Sequence, residues 1–88
     1  MEPITILENI HKILQGLSIL PKDSPPPNED TMLDEMGLDS LDKVETIMAL
    51  EEEYDIVIHD HEVEKVNTVG DMVAIVRAKI DDKNNNNA

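Results

Sequence analysis

Cysteine is missing from this 88-residue chain, and so are phenylalanine and tryptophan. Without cysteine there can be no disulfide and no thiolate zinc site. Tyr54 is the single aromatic residue, so the core must be built from Ile, Leu, Val and Met. Such a core fits either plain aliphatic packing or a Met-containing interior that repacks around a guest. Basic residues are scarce: 7 Lys and Arg face 20 Asp and Glu, for a net charge of -13. A polyanion repels nucleic acid and anionic membranes, which disfavours both as partners, and basic protein surfaces are its natural complement. No apolar run approaches the roughly 20 residues of a membrane span, and no secretory leader is visible. The expectation is a soluble monomer, cytoplasmic or processed for an organelle such as the mitochondrion. A chain of this length forms one small domain that buries only about 60–65% of its unfolded surface. It has no room for a deep enclosed active site.

What is present reads as helices. Ile6, Leu7, Ile10, Ile13, Leu14 and Leu17 recur at helical spacing. Thr5 and Glu8 fit a capping box and Gly16 a stop. The stretch SILPKDSPPPNED holds four of the five prolines, which removes amide donors and predicts an extended loop. TMLDEMG predicts a short turn with Met32, Leu33 and Met36 facing inward. A second helix is expected from Asp39 or Ser40, with Leu41, Val44, Ile47, Met48 and Leu50 in period up to Tyr54. Asp60 is expected to cap a short third helix, HEVEKV. Thr68 opens a fourth, with Asp71 three residues on, and Val69, Met72, Val73, Val76 and Ile80 form its buried stripe. The fold class is all-α: a small four-helix bundle with a long first loop and a short third helix, over residues 1–80. The polar end DDKNNNNA, residues 81–88, is expected to be disordered.

The chemistry centres on Ser40, set between Asp39 and Asp42 in GLDSLDKVETIMALEEEYDIVI. The glycines of a nucleophile elbow are absent at the needed spacing, and no base stands beside the serine. Catalysis by Ser40 is therefore not expected. On its residues alone Ser40 is either an ordinary helix-start serine or a modified one, since a phosphate ester there would meet free amides and a favourable dipole. His59 and His61 are too few for a zinc site, and HE at 61–62 lacks the second histidine of H-E-x-x-H, so no specific metal is expected.

GLDSLDKVETIMALEEEYDIVI followed by HDHEVEKVNTV resembles the acyl carrier proteins of dissociated fatty-acid synthases, over about Thr5 to Ile80. Peptidyl carrier domains usually show a glycine pair before the serine, where Leu38-Asp39 stands here. The Gly-Leu-Asp-Ser-Leu-Asp form is similar to mitochondrial carriers, and bacterial ones are close. The resemblance implies a phosphopantetheine arm, transferred from coenzyme A to Ser40 by a separate phosphopantetheinyl transferase. It implies that the arm's thiol carries growing acyl chains to fatty-acid synthesis enzymes and that the carrier is not itself an enzyme. It further implies a docking face for basic patches on those enzymes, formed by Asp39, Leu41, Asp42, Val44, Glu45, Met48, Glu51 and Glu52. Residues 39–64 hold ten acids and one base, so charge is concentrated where docking would need it.

Four positions depart from the family's usual pattern. Met32 stands where Phe is common, Thr46 where Leu is, His59 where Pro is frequent and His61 where Glu is. The two histidines weaken the acidity of the third helix at low pH. Two other functions stay open. One is a mitochondrial-type carrier acting mainly as a protein-interaction subunit, the other a carrier specialised for polyketide or other acyl groups.

Overall fold

The computed structural model describes residues 3–85. Helix α1 spans Pro3–Gly16, starting two residues before the Thr5 cap the sequence suggests. Proline suits this position, because the first-turn amide has no partner in any helix. Ile6, Ile10 and Leu14 lie one turn apart and are fully buried, with Leu7 and Ile13 half-buried beside them. Leu17, expected inside, is exposed, because the chain turns away just before it. Gly16 closes the helix, but Ser18 makes the left-handed turn at φ 64. The Ile19 amide then reaches back to Leu14 O at 2.9 Å and satisfies one of the helix's last carbonyls.

The proline-rich connection runs without helix, as its missing amides require. Side chains hold it instead: Gln15 Nε2 donates to Pro21 O (3.1 Å) and Lys22 O (2.9 Å), and Ser24 Oγ donates to Pro21 O (2.8 Å). Its far end forms a 3-10 turn over Asp34–Met36, closed by Gly37 at φ 82. Leu33 is buried here as expected and Met36 packs against the core, but Met32 is 41% exposed. The reason is an antiparallel bridge between Met32 and Thr68, which fixes the backbone and turns the Met32 side chain outward.

Helix α2 spans Ser40–Tyr54, α3 Asp60–Val63 and α4 Val69–Asn85. The cap of α3 is His59 rather than Asp60, because the Glu62 carboxylate accepts the His59 amide at 3.1 Å. Thr68 caps α4 as the sequence predicts: Asp71 N donates to Thr68 Oγ1 (3.0 Å), and Thr68 N donates to Asp71 Oδ2 (3.1 Å). The next orphan amides of α4 go to the long loop, Val69 N to Thr31 O (3.0 Å) and Gly70 N to Glu29 O (2.8 Å). The loop is thereby strapped across the start of α4.

Helices α1, α2 and α4 pack pairwise on one another. Ile47 and Leu50 of α2 and Val69, Met72, Val73 and Val76 of α4 enclose the α1 stripe. Ile56, Ile58 and Val66 seal the end where α3 lies. Thr46 is fully buried, and its hydroxyl donates to Asp42 O at 2.8 Å. Helix α4 also continues past Ile80, where the sequence suggests an unstructured tail from Asp81. Lys83 reaches Asp55 Oδ2 at 2.9 Å and Asp55 O at 3.1 Å, a tertiary anchor for that last turn. Residues 86–88 of that tail lie outside the described residues.

Candidate functional site

Ser40 is the first residue of α2 and is exposed. Asp39 caps the helix in extended backbone, with Oδ1 accepting the Asp42 amide at 2.8 Å. That contact takes one of the orphan amides and leaves those of Ser40 and Leu41 at the positive end of the helix dipole. A modified hydroxyl here would meet solvent on one side and free amides on the other.

Beside Ser40 lies a groove of about 270 Å³. Its floor is apolar, made by the buried Leu33, Leu38 and Val66. Met32, Asp34, Asp39, Lys43 and Asn67 form the rim with Ser40. The walls come from three separate parts of the chain: the end of the long loop, the start of α2 and the α3–α4 connection. Lys43 joins two of them, α2 and the α3–α4 connection, its Nζ donating to Val66 O at 3.0 Å. Sequence reasoning passed over Lys43, Val66 and Asn67. The one available signal was that Lys43 is the single base in residues 39–64.

The structure divides the expected docking residues. Leu41 (65% exposed), Val44 (42%) and Met48 (57%) stand outward along α2 rather than in the core. Glu45 and Glu52 are exposed on the same helix, and Val57, which the sequence did not single out, is exposed beyond its end. Asp39 is committed to the cap and Asp42 is half-buried. Glu51 is also half-buried, and its Oε2 accepts the Ile58 amide at 2.9 Å, which holds the α2–α3 link. Its first task is structural.

At α3 the His59 and His61 rings stack, with centroids 5.7 Å apart and planes within 4°. Among the described residues no group of three or more His, Asp or Glu side chains is placed to hold a metal. Glu62 joins α3 to α4 through Lys79 Nζ at 2.9 Å. Its carboxyl is held below the usual value by Lys79 first and the His59 amide second. Asp55 is lowered likewise by Lys83.

Comparison with known proteins adds an independent finding. The family model described as "Phosphopantetheine attachment site" matches residues 10–76, more than half of the chain. Similar curated proteins include the "Acyl carrier protein" of Clostridium acetobutylicum, 56% identical over 50 residues, covering 57% of this chain and 65% of that one. That of Buchnera aphidicola is 52% identical over 52 residues, 59% of this chain and 65% of the relative. The matched segment is thus slightly under two thirds of each relative's length. The crystal structure of an acyl carrier protein from Thermotoga maritima superimposes with a TM-score of 0.84 at 28% identity, over 93% of this chain and 94% of that one. The acetyl actinorhodin acyl carrier protein of Streptomyces coelicolor shares the fold, with a TM-score of 0.74 at 19% identity over 88% and 92%.

Proposed function

We propose that this chain, which belongs to the phosphopantetheine attachment-site family, is an acyl carrier that takes its arm on Ser40 and has no catalytic activity of its own. The arm supplies a flexible linker ending in a thiol, on which an acyl chain rides as a thioester. The observation that carries the reading is the position of Ser40. It is exposed at the start of a long helix, within the matched region, on the rim of an apolar-floored groove. The other serines are placed differently: Ser18 forms the turn after α1, and Ser24 Oγ is tied to Pro21 O.

The residues fit such a group. The helix start offers amides and a dipole to a phosphate, and the groove offers an apolar bed beside it. The outward row of Leu41, Val44 and Met48, flanked by Glu45 and Glu52, suits partner enzymes with basic rims around an apolar centre. Those partners would be a phosphopantetheinyl transferase and the enzymes of fatty-acid synthesis, in the cytoplasm. No helix among the described residues is long and apolar enough to cross a membrane.

Incubation with coenzyme A and a transferase tests the reading by intact mass. Wild type should gain one arm and Ser40→Ala none. An arm on Ser40→Ala would move the attachment elsewhere, and no arm on folded wild type would remove the reading.

A further inference from the structure

We propose that Lys43 binds the phosphodiester of the arm and, through its second bond to Val66, folds the arm down over the groove. This rests on the attachment at Ser40 proposed above. Lys43 follows Ser40 by three residues, so the two side chains are neighbours on one helix face, about 5–6 Å apart at Cβ. Both line the same groove. A lysine ammonium carries three donors, and one of them is committed to Val66 O at 3.0 Å. The bond parks the cation at the mouth of the groove, half-buried, rather than letting it swing into solvent.

Electrostatics gives the lysine its task. A phosphodiester on Ser40 adds a negative charge between Asp39 and Asp42, in a segment where Lys43 is the single base among residues 39–64. Asp39 is held in place by the cap and cannot turn away without uncapping α2. The helix start offsets part of this repulsion, and Lys43 is the side chain placed to offset more. Charge-assisted contacts to phosphate are stronger than neutral ones. Because Val66 belongs to the α3–α4 connection, the same ammonium links the arm's root to the wall opposite α2. The groove floor of Leu33, Leu38 and Val66 then lies under whatever follows the phosphate. Lysine in this place acts as a positioning residue.

The test uses the loaded protein, with mass confirming one arm per chain on wild type, Lys43→Met, Lys43→Gln and Lys43→Arg. Phosphorus NMR reads the phosphodiester. Nuclear Overhauser contacts from the arm's geminal methyl groups to the Leu38 and Val66 methyls read its position. Wild type should show these contacts. Lys43→Met should weaken them about two- to fivefold, the range that one exposed ion pair supports, and move the phosphorus resonance toward that of free coenzyme A's phosphodiester. Lys43→Gln keeps a donor for Val66 O but no charge and should behave like Lys43→Met, whereas Lys43→Arg should recover most of the effect. In wild type itself, the Lys43 ammonium resonance should shift on loading. Equal contacts and phosphorus shifts in Lys43→Gln and wild type, or an ammonium signal indifferent to loading, would overturn the proposal while leaving the attachment intact. Failure of wild type to load would instead remove the reading on which it rests.

Discussion

Gly37 and Gly70 show how differently two glycines can be required. At Gly37 the backbone sits at φ 82 with open space where a Cβ would stand, so substitution strains the backbone alone. At Gly70 a Cβ would lie 2.9 Å from Glu29 O, the atom that accepts the Gly70 amide at 2.8 Å. Alanine there must push the long loop off α4. Gly37→Ala should cost about 1–2 kcal/mol in urea unfolding. Gly70→Ala should cost about 1–3 kcal/mol and also speed hydrogen exchange at the Val69 and Gly70 amides. Unchanged exchange there in Gly70→Ala would show that the loop is not strapped as described. Sequence spacing does not reveal the Gly70 requirement, since that depends on where a distant segment lies, whereas Gly37 only closes the local turn of Asp34–Met36. Spacing alone also leaves the side faced by Leu41, Val44 and Met48 open, and it is the family resemblance that puts them on an outward face. They keep helical period with Ile47 and Leu50, but period alone cannot say which of two apolar stripes faces inward.

Among the elements, α4 was legible at its start and not at its end. Thr68 and Asp71 are a local pair, three residues apart, and the sequence carries that signal directly. The end depends on Lys83 meeting Asp55, 28 residues away, which no local pattern announces. Asp71 also gives the start of α4 a pH dependence. Its carboxyl lies below its ordinary value of 3.8, chiefly because it accepts the Asn67 amide at 2.9 Å, with the Thr68 contacts adding to this. A carboxyl lowered by folding stabilises the native state fully above its unfolded pKa, and that contribution is lost as pH falls through the lower folded value. Asp71→Ala should therefore cost about 1 kcal/mol at neutral pH, the usual scale of a lost cap. The penalty should shrink below pH 3.8. Urea melts of the two proteins at pH 7 and near pH 3 check it. An equal gap at both would assign the cost to shape rather than charge.

At the scale of the whole molecule, the net charge of -13 is unevenly relieved. Lys79 and Lys83, both on α4, take Glu62 and Asp55. The outward side of α2 has no such partner among the described residues: Asp39, Asp42 and Glu45 follow at three-residue spacing, and Glu52 and Glu53 stand exposed further along. Like charges at such spacings cost a few tenths of a kcal/mol each, roughly 0.2–0.5, against a total stability of about 5–10 kcal/mol. The two pairs Asp39–Asp42 and Asp42–Glu45 together then cost roughly 0.4–1 kcal/mol, a real fraction of what holds the fold. The arrangement leaves a face whose repulsion any bound positive charge would relieve. Divalent ions should do so. Magnesium or calcium should raise the melting temperature, followed by circular dichroism, more than sodium does at equal ionic strength, because diffuse binding between neighbouring carboxylates favours the higher charge. Replacing Glu45 and Glu52 with Gln should raise the melting temperature without added ions and reduce the divalent increment. Were sodium and magnesium equally effective at matched ionic strength, the repulsion would be a screened field of the whole molecule rather than a property of the α2 face.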